Sequence, residues 1–192
     1  MSTTSRGAVT RRSASTDPRA QRLRARIKHA ALDLVSQRPV DSISLNELLA
    51  AAQVSRQGFY DHFASRDDAI LHAINDESAE ALDEEALDGL DMASLVAVLA
   101  GVINARREVY ANVRGSAVFI ALVDQWREIL TPRVADLVVA RRGPGAEAEA
   151  TTAFIVGGVI ELSRAWLRSD HLTGPDVLAS MIARQLSAVL GD

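Results

Sequence analysis

An all-α chain is what the sequence predicts, and three observations predict it. Apolar residues recur at spacings of three and four, and no alternating run reads as a strand. Residues that start helices head successive segments: Asp17 before Pro18, Ser44 with Glu47 three places on, Ser55, and Ser65 before Asp67 and Asp68. Helix breakers then punctuate the rest, at Gly89, Gly115, Gly143-Pro144-Gly145 and Gly174-Pro175.

Residues 1–16 are rich in Ser, Thr and Arg without periodicity, and read as a disordered basic arm. The first helix starts at the Asp17 cap with Pro18 in its first turn, where a missing N–H costs nothing. Leu23, Ile27, Ala31, Leu34 and Val35 make its apolar stripe, and Gln37-Arg38-Pro39 ends it. Ser44 and Glu47 form a capping box for a short helix from Leu45 to about Ala52. Ser55 caps a third helix running to about Phe63. Ser65 caps a fourth, with two acids in its first turn where the helix dipole favours them. Longer helices are expected at about 66–87, 92–106, 116–140, 147–169 and 175–190, with a short piece near 107–113.

Composition limits what such a chain does. Hydrophobic residues are 48% of the 192 and charged residues 24%, enough for a core and a soluble surface. No stretch approaches the apolar length of a membrane span, and no apolar run follows the N-terminal arginines as a secretory signal would require. A cytoplasmic protein without membrane contact is therefore expected. With no cysteine there is no disulfide or thiolate chemistry. The four histidines are scattered; Asp68 and His72 offer two metal ligands but no third, so no metal and no cofactor is expected. Neither a phosphate loop nor a nucleophile elbow is present, and no catalytic residue is assigned. The net charge of −4 hides a split. Residues 1–75 carry eleven basic and seven acidic groups, and residues 76–192 carry ten and eighteen. A basic front on an acidic back suits a polyanion-binding module, although an inert basic tail gives the same count.

The segment Ser44–Arg66 carries the most chemistry. Leu45, Leu48, Leu49 and Ala52 line the inner face of its first helix, Val54 plugs the turn, and Phe59 and Phe63 anchor its second. Ser55, Arg56, Gln57, Gly58, Tyr60 and His62 are left facing outward. A helix below about 12 residues barely forms alone, so packing must hold this one and present its outer groups rigidly. Two short helices joined by a tight turn make a helix-turn-helix layout. Arg bonds guanine bidentately and Gln does the same to adenine, so the outer face suits a major groove.

This stretch resembles the TetR-family helix-turn-helix. The matching residues are Ser44, Ala51-Ala52-Gln53-Val54-Ser55, Phe59-Tyr60-Asp61-His62-Phe63 and Arg66-Asp67-Asp68, with the first helix from Arg19 to Gln37 in front. Gln53 stands where the family usually has Gly, so either Gln tolerates a less favourable backbone there or the turn differs slightly. Arg66 stands where Lys is common and keeps the charge. The resemblance implies a DNA-binding domain over 17–64 and an effector-binding and dimerisation domain over 65–192. It implies phosphate contacts from Ser44, Ser55, Tyr60, His62 and Arg66, and base contacts from Arg56, Gln57 and Gly58. The partners it implies are a palindromic double-stranded DNA operator and a small-molecule effector that releases the protein from it, the protein acting as a repressor. An effector-independent regulator of the same fold, or an all-α adaptor, are the alternatives.

In the back half, Phe154, Ile155, Val159, Leu162 and Trp166 form a stripe broken by Gly157-Gly158. Val177, Leu178, Met181, Ile182, Leu186 and Val189 form another. Two such helices from each of two subunits suit a four-helix bundle, and the resemblance likewise puts a homodimer interface on the last two helices. The resemblance also implies an effector site among the middle helices, for which Ile103, Tyr110, Phe119, Leu122, Val123, Trp126 and Phe154 are the candidates, though each reads more readily as core. The acidic stretch Asp76–Asp91 reads as a solvated face, a feature favouring a cationic effector being the alternative.

Overall fold

The structure is a computed structural model describing residues 17–79, 87, 90–168 and 174–190. Among these residues it is entirely helical, with no strand. The helices are α1 (Pro18–Gln37), α2 (Leu45–Ala52), α3 (Arg56–Tyr60), α4 (Arg66–Ser78), α5 (Met92–Ala105), α6 (Arg107–Val113), α7 (Ala117–Arg142), α8 (Ala146–Arg168) and α9 (Pro175–Leu190). A 3₁₀ turn at Val40–Ser42 joins α1 to the approach to α2. The basic arm and most of the acidic stretch lie outside the described residues, as does the segment 80–86 of the helix expected over 66–87.

The starts follow from local hydrogen bonds. Asp17 accepts from the Arg19 N–H at 2.9 Å, Ser55 from Gly58 at 3.1 Å and Ser65 from Asp68 at 3.0 Å. At α2 the capping box is complete: Ser44 Oγ accepts from the Glu47 N–H, and the Glu47 carboxylate accepts from the Ser44 N–H. The helix proper of α3 ends at Tyr60 rather than Phe63. The Phe59 carbonyl then accepts from both His62 and Phe63, a shared bond that turns the chain and returns Phe63 to the core. Helix α7 runs through Pro132, which has no N–H to give the Glu128 carbonyl four residues earlier. Around it Thr131 Oγ1 donates to the Arg127 carbonyl and Arg133 to that of Ile129.

One continuous apolar cluster runs from Ile27 in α1 to Leu186 in α9. α1 packs on α2, α4 and α6; α4 also reaches α7; α5 pairs with α9, and α7 with α8. Lys28 of α1 pairs with Asp76 of α4, tying the front of the molecule to the helix that enters its back half. No helix among the described residues is long and apolar enough to cross a membrane.

Candidate nucleic-acid interface and internal cavity

The helix-turn-helix is built around an uncommon backbone. Gln53 closes α2 at φ 53°, ψ 49°, the left-handed region, and among the described residues no other non-glycine has positive φ. Glycine would adopt it freely; a side chain there costs energy. Arg26, reaching across from α1, donates to the carbonyls of Ala52 at 2.5 Å and of Gln53 at 2.6 Å. These carbonyls lie at the end of α2, where the helix leaves acceptors without donors and its dipole favours a cation. Arg26 therefore fastens the turn from outside, and no periodicity in the sequence points to it.

Behind α3, Phe59 and Phe63 are fully buried with ring centroids 5.7 Å apart. The Arg24 guanidinium lies 4.7 Å over the Phe63 ring and donates to the His62 carbonyl. In front, Ser55, Arg56 and Gln57 are exposed, and Tyr60 is 51% exposed with its ring edge-on to Phe59. His62 is half-buried. Ser44 is exposed at the head of α2, its hydroxyl engaged with Glu47.

Two of the residues named from the sequence sit differently from that expectation. Gly58 is half-buried: a Cβ there would lie 3.3 Å from the Ser55 hydroxyl and 3.6 Å from Leu23. The glycine makes room for its own cap and for α1. Arg66 is largely covered; it donates to the Ile43 carbonyl and pairs with Asp67 at 2.7 Å. It pins the approach to α2 against the start of α4.

A second feature is a cavity of about 500 Å³ between α4, α6 and α7. Tyr110, Leu122 and Trp126 line it, the two rings 5.9 Å apart, with Asn75, Ser78, Gln125 and Arg133 supplying polar groups. Burial pushes the Tyr110 phenol above its usual pKa, opposed by hydrogen bonding with Ser78 and aided by the Glu77 charge. It stays protonated, a donor at neutral pH. Of the other candidates, Ile103, Phe119 and Val123 are buried packing residues that do not line this space. Phe154 is 68% exposed on the outer side of α8 and is corrected from pocket wall to surface residue. Its helix turns Ile155 and Val156 inward instead. The polar lining was missed because single polar residues on long helices carry no distinguishing spacing. Asp68 and His72 lie 3.8 Å apart, and among the described residues no three acids or histidines gather as a metal site would need.

Comparison with known proteins agrees with this geometry. Residues 27–74 match the model of the N-terminal domain described as bacterial regulatory proteins, tetR family. A TetR transcriptional regulator from Streptococcus agalactiae 2603V superposes with a TM-score of 0.68 at 14% identity, covering 88% of this chain and 96% of its own. The dihydroxyacetone kinase operon activator DhaS gives 0.65 at 17%, covering 88% and 96%. NalD, the secondary repressor of the MexAB-OprM multidrug efflux pump in Pseudomonas aeruginosa, gives 0.61 at 18%, covering 88% and 97%. No curated protein sequence matches. Residues 27–74 thus match the N-terminal domain of the tetR family of bacterial regulatory proteins in sequence, and the described residues share the fold of these solved regulators.

Proposed function

We propose that this chain is a homodimeric repressor, released from a palindromic operator when a small molecule enters the cavity between α4, α6 and α7. One observation carries the reading: α3 turns Arg56, Gln57 and Tyr60 outward from a base of two buried phenylalanines. A helix of five residues held so firmly is suited to presenting side chains, and these side chains suit a major groove. Arg56 and Gln57 read bases; Ser44, Ser55, Tyr60 and His62 meet phosphates. Gly58 and Arg66 serve the interface by shaping it. The division of labour is DNA contact in residues 17–64 and effector binding and dimerisation in 65–192, with α4 shared between them.

The dimer rests on α8 and α9. Phe154 and Gly158 share the outer face of α8, and a Cβ at Gly157 or Gly158 would meet nothing within 4 Å. Among the described residues nothing explains two helix-weakening glycines; a partner helix approaching that face does. Val177 and Met181 extend the apolar surface along α9.

Repression is supported by the likeness to NalD, named a repressor. Activation is the second reading, because DhaS, of similar fold, is named an activator. Mobility-shift titrations with duplex from upstream of its own gene, across salt, test the DNA reading. Binding that falls steeply with salt is expected; no binding even in dilute buffer refutes it. A melting screen then finds effectors by stabilisation. Effector affinity must fall when operator is present, by the same factor as operator affinity falls when effector is present. Equal affinities refute release, and transcription of the neighbouring gene with the protein removed separates repression from activation.

A further inference from the structure

Arg56 opens α3, yet its guanidinium is held by a residue of another helix: Nη2 donates to Asn46 Oδ1 at 2.6 Å. Asn46 is the second residue of α2, and that helix is itself immobilised at both ends. Its start is closed by the capping box and by Arg38, which donates to Glu47 at 2.6 Å. Its end is fastened by Arg26. Asn46 thus offers its amide oxygen from an anchored helix, beside the head of the recognition helix.

An arginine on an open surface samples many rotamers, and ordering it on contact subtracts from binding. A guanidinium has five N–H groups. Asn46 takes one, and guanine O6 and N7 take two, so both partners are satisfied together. The acceptor's chemistry matters as well. A carboxylate in this place would grip harder but would set a negative charge against the phosphates of a duplex. A neutral amide orients the cation without cancelling it.

We infer that Asn46 is a positioning residue for Arg56: it fixes the guanidinium for one guanine and so sets specificity at a base pair that Asn46 does not touch. This rests on reading Arg56 as a base contact. Replacement by alanine favours the helix at such an exposed position, so a loss of discrimination is separable from unfolding.

The experiment is selection from a random-sequence duplex pool with the full chain and its Arg56→Ala, Asn46→Ala and Asn46→Asp variants. Arg56→Ala should erase the preference for guanine at one position of each half-site. Asn46→Ala should weaken that same preference by roughly three- to tenfold and leave the other positions unchanged. Asn46→Asp should retain the preference while binding every duplex more weakly. The inference is overturned if Asn46→Ala keeps the guanine preference at full strength. It is equally overturned if Asn46→Ala erases preference at a different base pair, because Asn46 would then be a reader itself. If the unaltered chain enriches no motif, the DNA-reading function fails and this inference with it. If Arg56→Ala keeps every preference, only the roles of Arg56 and Asn46 fall and DNA binding stands.

Discussion

Gln53 is the residue at which the chain departs most clearly from its easiest backbone. Its left-handed conformation costs a side chain of this size about 1 kcal/mol, and Arg26 offsets part of that by bonding the Ala52 and Gln53 carbonyls. Gln53→Gly should therefore stabilise the protein by about 0.5–1 kcal/mol in urea unfolding. Arg26→Ala should cost less in that background than in the native one, a coupling that a double-mutant cycle reads. Additive effects would show that Arg26 does not hold the turn. At the other end of α2, Glu47 accepts from the Ser44 N–H, then the Arg38 guanidinium and the Ser44 hydroxyl, which hold its carboxyl at about 2 against an ordinary 4.5. A depressed carboxylate stabilises the folded state fully above its ordinary value and loses that contribution as pH falls towards the folded one. Stability should thus decline between about pH 4.5 and about pH 2 through this group. Glu47→Gln should flatten that part of the profile, followed by helical circular dichroism during urea unfolding. An unchanged slope would mean the capping box is not formed.

At the scale of the element, the contrast lies within α3. Phe59 is wholly buried and Tyr60, its neighbour, is half exposed. Phe59→Ala should cost roughly 3–5 kcal/mol of stability, the usual loss for a core aromatic, and DNA binding should go with it. Tyr60→Ala should leave the unfolding midpoint nearly unchanged and weaken binding to all duplexes alike, as a phosphate contact does. A Tyr60→Ala protein with native affinity would remove Tyr60 from the interface. This inner and outer division was legible in the sequence, because Leu48, Ala52, Phe59 and Phe63 are spaced as one buried face. The caps at Asp17, Ser44, Ser55 and Ser65 were legible too, since each acts within three residues of itself. What could not be read was any bond between elements distant in sequence: Arg26 on the α2 turn, Asn46 on Arg56, Arg66 on Ile43. Those depend on how helices pack, and their residues look like ordinary surface groups. Phe154 was misplaced for a related reason. An aromatic in an amphipathic stripe has the same spacing whether it faces a core, a cavity or a partner subunit.

For the whole molecule, two recognition helices matter only if something joins them. Residues 1–75 carry net positive charge and residues 76–192 net negative charge, so a duplex attracts the first segment of the chain and repels the second. That fixes which segment approaches DNA, but a single five-residue helix buries too little to hold it. Linking two such helices makes the second contact intramolecular and raises affinity by a factor of roughly 10²–10⁴. The proposed link is the outer face of α8, where Phe154 is 68% exposed beside two glycines at which an added Cβ would meet no atom of the described residues within 4 Å. Burying one phenylalanine contributes about 1.5–3 kcal/mol, and a two-fold axis counts it twice. A charge at that position is desolvated twice by the same symmetry. Phe154→Glu should therefore yield a folded monomer in sedimentation velocity, because the residue touches little of its own core. The monomer should bind a single half-site about as well as one arm of the native protein does. It should lose most of its advantage on the full palindrome. Phe154→Leu, apolar and nearly as large, should remain dimeric. A Phe154→Glu protein that still sediments as a dimer places the interface elsewhere, and the paired glycines would then need a different cause.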